Sequence, residues 1–462
     1  MSFRAKTSRR RFMSRTVSAS AAIWASPAII PATMLGGASA PGNRIQTGVI
    51  GVGRIAREHD MPGVLKHEAA RIIAVSDLDS KRCADGKKYV EDYYVKKTGQ
   101  AATGVQMYGD YREMLTRPEI DAVVICTPDH WHARPAIDAA MAGKDIYLEK
   151  PTSLTIAEGR AMSDAIHRTG RILQIGTQQR SWEQFRVACE LVRNGRIGQL
   201  KTIQVGLPVD PSGTEEPEMP VPKNLNYEMW LGSTPWVYYT EKRVHPQHDY
   251  SRPGWLRCEQ FGAGMITGWG VHHIDIVHWA MGTEYTGPVE IEGTAEFPKS
   301  GLWDVHGPYR IQAKYSNGVT VYISDSYPNG IRFEGSEGWI FVTRGNYAVT
   351  ASDPGSRDPN AKSPLSVSNP KILTSPLGPN EIQLYRSTDH HGNWLESIKS
   401  RKPPICPVEV GHRSCSACLV AHIAMKLKRR LYWDPARERF KNDDEANSML
   451  SRAQRWPYGI ES

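Results

Sequence analysis

The sequence predicts an α/β protein, with a parallel sheet covered by helices on both faces in its first part and a strand-rich second part closed by helices. Three observations carry this. Short β-branched runs alternate with helical stretches from residue 44 to about 180, one run leads into a Gly-x-Gly turn, and beyond residue 195 strand patterns dominate.

The runs "RIQTGVIG", "RIIAVSD", "DAVVICTP", "DIYLEKP" and "RILQIGT" are bounded by turn residues and are apolar throughout, as strands buried on both faces must be. Helical segments at 80–98, 131–142 and 155–168 separate them, giving a doubly wound arrangement. "WEQFRVACELVRNGRIGQ" reads as a helix ending at Gly195. Next come the strand candidates "LKTIQVGL", "VEIEGTAEF", "YRIQAKYSNGVTVYISDS" and "RFEGSEGWIFVTRG", where Asn317-Gly318 marks a hairpin turn. Stretches 208–223, with five prolines, and 351–380, with six, read as surface arms or loops. Helices near 389–400, 411–430 and 443–452 close the chain, and no internal repeat is visible. The expected division is a signal over 1–40, a first domain over 43–180 and a second over 181–462, C-terminal helices included.

The N-terminus reads as an address. "MSFRAKTSRRRFMSR" contains Ser8-Arg9-Arg10-Arg11-Phe12-Met13, which has the form of a twin-arginine export signal. Residues 1–40 hold six basic residues and no acid, followed by a charge-free run from Thr16 to Ala40 that Pro27 and Pro31 interrupt. A membrane span wants about 20 strongly apolar residues, so a processed signal is expected, and Ala38-Ser39-Ala40 fits a small-residue cleavage pattern. The expected location is the periplasm, reached through the twin-arginine export machinery. Setting those six basic residues aside takes the formal charge from +8 to +2, which leaves no case for nucleic acid. The seven scattered cysteines do not form a disulfide framework. Cys415-x-x-Cys418 lies in a helical pattern without a second pair, so it reads as two small helix residues, and no metal site is expected.

Gly51-x-Gly53-x-x-Ala56 follows a strand and opens a helix. That context suits a dinucleotide: the first glycine makes the tight turn, the second lets backbone approach a pyrophosphate, and Arg54 and Ile55 stand at the helix N-terminus beside the anion. Asp77, ending the next strand, supplies the acid for the ribose hydroxyls and repels a 2′-phosphate. NAD is therefore favoured over NADP, although Lys81 and Arg82 pull the other way. Thr127 and Pro128 fall at the carboxyl edge of the sheet, where ligands bind; His130 and Trp131 are candidates for the ribose and nicotinamide. Glu149 and Lys150 end the next strand beside the nicotinamide. A lysine there can lose proton affinity through burial and shuttle a hydroxyl proton. Gln178 and Arg180, past the last strand of this part, would border the same pocket.

From residue 44 onward the chain resembles the Gfo/Idh/MocA oxidoreductases, with Glu149-Lys150-Pro151 the most specific motif. The resemblance implies an NAD(P)-binding Rossmann domain followed by an α/β domain on a large open, mainly antiparallel sheet, which commonly serves homo-oligomerisation. It implies Lys150 as the catalytic lysine. The family's second motif falls on "FGAGMITGWGVHHIDIVHWAMG", where Gly262-Ala263-Gly264 matches the glycine cluster and His272 the histidine. The aspartate position is Gly268, a departure for which His273, Asp275 or a tryptophan-lined pocket could compensate. Asp275, at i+3 from His272, could orient an imidazole. Arg252, Trp255 and Arg257 offer forked donors and a flat face for a polyhydroxylated ring. The leading expectation is a dehydrogenase of a secondary alcohol on a sugar, glycoside or polyol, with tightly held NAD. A glycoside-cleaving enzyme that oxidises transiently is a second reading, and a non-catalytic sugar-binding protein a third.

Overall fold

The computed structural model describes residues 44–100, 104–345 and 363–460. The twin-arginine stretch, the 38–40 cleavage pattern and most of the first half of the second proline-rich stretch lie outside the described residues.

The first sheet contains β1 (Ile45–Ile50), β2 (Ala70–Ser76), β3 (Gln106–Tyr108), β4 (Ala122–Ile125), β5 (Asp145–Leu148) and β6 (Leu173–Ile175). They lie in the order β3-β2-β1-β4-β5-β6, and every pairing is parallel. The order reverses between β1 and β4, which places the Gly51 turn and the Thr127 loop on either side of a crevice at the carboxyl edge. β4 and β5 are buried at every position, which explains their unbroken apolar runs. The helix Ser80–Thr98 starts at Asp79, whose carboxylate caps the Lys81 and Arg82 amides, and Ile156–Thr169 opens on a Thr155/Glu158 capping box.

The second sheet adds β7 (Leu200–Gly206), β8 (Glu290–Ala295), β9 (Tyr309–Lys314), β10 (Thr320–Ser324), β11 (Gly330–Gly335), β12 (Trp339–Val342), β13 (Leu365–Val367), β14 (Leu431–Asp434) and β15 (Arg439–Phe440). Its order is β13-β12-β11-β7-β10-β9-β8-β14-β15; β7 and β10 pair parallel and the other pairings are antiparallel. This is the mixed, mostly antiparallel sheet expected. Two helices, Gly270–Met281 and Val408–Leu427, supply most of its buried packing. Cys415 and Cys418 sit fully buried on the second of these, and all seven cysteines are free thiols.

The structure corrects three expectations about elements. Within 351–380, residues 365–367 form β13, paired to β12, and Lys371–Thr374 is a short helix. The last helix is the single turn Asp444–Ser448 rather than 443–452. Finally, helix His390–Ser400 buries Trp394 and Leu395 among Ile45, Val49 and Met61, in the core of the first sheet. Apolar residues on the returning chain complete that core, so packing does not part at residue 180.

Candidate active site

The carboxyl edge of the first sheet opens onto a cleft of about 1640 Å³, its solvent-open mouth included. Gly51 stands at φ +82°, and a Cβ there would lie 2.9 Å from the Cys126 carbonyl, so the tight turn demands glycine. Gly53 faces open space, with only Arg82 Nη1 within 4 Å of an added Cβ. Arg54, Ile55 and His59 join the lining from the following helix, whose residues Ala56–Asp60 are wound as a π-helix. Asp77 accepts the Val52 amide at 2.9 Å and the Asp79 amide at 2.9 Å, which fixes its carboxylate on the cleft wall. These residues fit a dinucleotide: a bare backbone cradle with an anchored acid beside it. Lys81 is tied to the Gln247 carbonyl and Arg82 Nη2 to the Pro246 and Asp249 carbonyls, although Arg82 still lines the cleft beside Gly53. Asp77→Ala should weaken NAD by about tenfold or more, as loss of a charged hydrogen bond does, and weaken NADP less. Titration of nucleotide-stripped protein with each checks it; equal losses would remove Asp77 from ribose recognition.

Beyond this cradle, Thr127 lines the cleft and its hydroxyl donates to the Trp131 carbonyl at 2.7 Å. Trp131 also lines it, with its indole N–H donating to the Met229 and Trp230 carbonyls. His130 does not. Its Nε2 meets the Trp230 carbonyl at 2.8 Å, its ring packs on Trp230 and Phe261, and burial pulls its pKa down to about 3. The short 3₁₀ turn Asp129–Trp131 turns His130 into the core and leaves His132 on the cleft wall.

Glu149 and Lys150 leave β5 at the cleft floor. Lys150 Nζ donates to the Gly268 carbonyl at 2.8 Å. Burial lowers its proton affinity below the ordinary lysine range, opposed by the charges of Glu149 and Asp129. Glu149 accepts from Gln178 Nε2 at 2.7 Å; burial, reinforced by the charge of Asp60, pushes its pKa up to about 7. His272, on helix Gly270–Met281, reaches the same cleft with its Nδ1 buried and without a hydrogen-bond partner. Burial, then the charges of Arg344 and Lys150, keeps this imidazole neutral. An unpartnered buried nitrogen is costly, and a ligand hydroxyl is a natural partner for it. Arg252 and Trp255 also line the cleft.

Four candidates point elsewhere. His273 lies outside the lining, its Nε2 beside Trp269 Nε1 at 3.0 Å and Asn329 Oδ1 at 2.8 Å. Asp275 does not orient His272: its carboxylate takes Arg180 Nε at 2.6 Å, Arg180 Nη2 at 2.9 Å and the Ser414 hydroxyl at 3.1 Å. That pair withdraws Arg180 from the nicotinamide side into the core. Arg257 pairs with Asp210 at 3.5 Å and lies over Trp303, off the cleft. The lining residues missed in the sequence include Asp129, Met229, Trp230 and Arg344. Arg344 follows β12 and lies over the Trp269 ring at 4.5 Å.

His59, Asp60 and His391, a cluster the sequence did not single out, bring three donor atoms within 4.8 Å of one another. They are already joined by hydrogen bonds: Asp60 Oδ1 lies 3.1 Å from His59 Nδ1 and 3.0 Å from His391 Nε2, and Asp60 Oδ2 receives Cys126 Sγ at 3.1 Å.

A Rossmann sheet with a glycine cradle, an acid after β2 and a lysine after β5, closed by a second α/β half, defines the dinucleotide-dependent oxidoreductases. Residues 45–177 match the Gfo/Idh/MocA model described as an oxidoreductase family, NAD-binding Rossmann fold, and residues 211–347 and 380–460 match the same family's C-terminal alpha/beta domain. The chain belongs to the Gfo/Idh/MocA oxidoreductase family. It is 34% identical over 162 residues to an uncharacterised oxidoreductase, ORF334, of Rhizobium meliloti, covering 35% of this chain and 44% of that protein. To the myo-inositol 2-dehydrogenase of Thermotoga maritima it is 30% identical over 161 residues, 35% of this chain and again 44% of the relative. Both alignments thus span less than half of the relatives' length. The fold matches the aldose-aldose oxidoreductase of Caulobacter crescentus, solved with glycerol, at a TM-score of 0.57 and 20% identity, over 84% of this chain and 99% of that one.

Proposed function

We propose that this protein is an exported, NAD-dependent oxidoreductase acting on a secondary alcohol of a sugar, glycoside or polyol. The carrying observation is the pairing, in one cleft, of Lys150 with a neutral, unpartnered His272 beside a dinucleotide cradle. The family relatives that act on inositol and the aldose-aldose oxidoreductase support this substrate class. NAD, when bound, supplies the two-electron acceptor for the carbinol carbon. The chain's own residues do the rest. Lys150, as the neutral amine, takes the hydroxyl proton, and the Gly268 carbonyl holds the resulting ammonium. His272 hydrogen-bonds the reacting oxygen without adding a second positive charge. Arg252 and Trp255 position the ring, and Gly51, Gly53, Arg54, Ile55, Asp77, Thr127, Trp131, Glu149 and Gln178 hold the nucleotide.

Twin-arginine export fits this chemistry, because a protein folded in the cytoplasm leaves with its dinucleotide enclosed. Outside there is no nucleotide pool, so the cofactor must stay bound and be regenerated in place by a second substrate. Retention needs affinity of about micromolar or better, near 8 kcal/mol. Among the described residues, no helix is long and apolar enough to cross a membrane; the periplasmic location rests on the twin-arginine reading of Ser8–Met13. The open second sheet offers the surface for a homo-oligomer. A panel of sugars, glycosides and polyols, with mass spectrometry of the products, tests the activity. A product with two hydrogens fewer is expected. Aglycone release with no net oxidation would point to the glycoside-cleaving reading, and binding without turnover to a sensor.

A further inference from the structure

Lys150 stands among charges of both signs. Glu149 and Asp129 favour its protonated form, Arg344 and Arg252 oppose it, and His272 and His132 line the same cleft. Neither histidine carries a compensating charge, since burial holds both imidazoles neutral. From helix Gly270–Met281 and the turn before it, Lys150 receives only a backbone oxygen, that of Gly268. No side chain occupies that position, and a Cβ added there would meet nothing within 4 Å. Glu149 is already engaged, accepting from Gln178 Nε2 at 2.7 Å and from the Lys150 amide at 3.2 Å.

Asp129 is different. It opens the 3₁₀ turn after β4, and β4 pairs with β5, whose end carries Lys150. Its residue is 4% exposed, yet it lines the cleft. Among the described residues its carboxylate meets no donor beyond its own backbone amide. Gly262, from the second half of the chain, makes room for it: a Cβ at that position would lie 3.2 Å from Asp129 Oδ2. A buried carboxylate without a partner is expensive to keep in a fold, and burial pushes this one up to about 7. The charge of Lys150 opposes that shift in part.

We propose that Asp129 is the positioning carboxylate of the proton-transfer site, a counter-charge on the neighbouring strand end that sets the proton affinity of Lys150. Once ionised, it stabilises the lysine ammonium formed when a hydroxyl proton arrives, and so compensates for the side chain absent at Gly268. The inference rests on Lys150 as the proton acceptor, but its test needs no substrate.

The experiment is a pH titration of Lys150 in the protein as isolated, by NMR of reductively ¹³C-methylated lysines, with the Lys150 signal assigned by its loss in Lys150→Arg. Removing a nearby opposite charge lets the ammonium deprotonate more easily, so Asp129→Asn should move the Lys150 midpoint down by about one pH unit. Asp129→Glu, which keeps the charge, should restore the midpoint. Asp164→Asn, an exposed carboxylate paired with Arg160, should leave it unmoved. If Asp129→Asn does not fold, Asp129→Ser carries the same expectation. An unchanged midpoint in the folded charge-removing variant, even with lowered thermal stability, overturns the proposal and leaves Asp129 a packing residue. Failure to find a carbohydrate substrate would count against the proposed function and not against this result.

Discussion

Lys150→Ala is expected to lower turnover by about 10²–10⁴-fold, the range for a positioned general acid–base group, while the protein stays folded and the nucleotide stays bound. The side chain makes one hydrogen bond, to the Gly268 carbonyl, so truncation removes the proton acceptor with that single bond and the charge that faces Glu149 and Asp129. In the oxidation direction the neutral amine is the active form. Rate should therefore rise with pH through the lowered Lys150 pKa and level off above it, and Lys150→Arg should abolish that limb. Glu149 and Asp129 both titrate at about 7, so a limb near neutrality is assigned to Lys150 only if it disappears in the arginine variant. His272→Ala should lower turnover less, because a neutral imidazole contributes a hydrogen bond and not the proton transfer. Near-normal turnover of Lys150→Ala on the true substrate would place the proton acceptor elsewhere.

Asp275→Ala should be the most destabilising single change near the site, costing about 3–5 kcal/mol, as removal of one partner from a buried ion pair does. Arg180 is buried, stacked on Trp279 and bidentate to Asp275, and Ser414 donates to the same carboxylate. Truncation strands a guanidinium in the core. Asp275 lies one helical turn beyond His272, so the variant should lose activity along with stability. Chemical denaturation of Asp275→Ala beside the double variant Arg180→Met/Asp275→Leu reads the effect. The double variant should recover much of the loss, because an apolar pair leaves no unpaired charge. Equal destabilisation of both would show that shape, and not the stranded charge, dominates.

How far the sequence could be read follows from the range of the interactions involved. The parallel sheet is legible because its strands are continuous apolar runs between helices, a local signal. Gly51, Gly53, Asp77 and Lys150 are legible because each occupies a defined place at a strand end. β3 and β13, three residues each, and β14 and β15 at the far edge carry too little periodicity to be seen before their distant partners are known. The destination of helix His390–Ser400 is equally hidden, since its amphipathic pattern does not say which sheet Trp394 will enter. Three of the site errors share a cause. Arg180, Arg257 and His273 have the right chemistry, yet Asp275, Asp210 and Asn329, 95, 47 and 56 residues away, turn them from the cleft. The choice between His130 and His132 depends on one tight turn. Asp129 and Arg344 carry no periodicity at all, and only the fold brings them to Lys150 and His272.

In the proposed reaction the protein holds its own NAD and reduces it at a carbohydrate hydroxyl. It is tested most directly by adding an active sugar or polyol to the protein as isolated, with no nucleotide supplied, and following the absorbance of reduced nicotinamide. The expected result is a rise that stops at one equivalent per bound nucleotide, stays with the protein on gel filtration and reverses when a carbonyl acceptor is added. A protein that arrives empty, turns over only with added NAD and releases free NADH would contradict it.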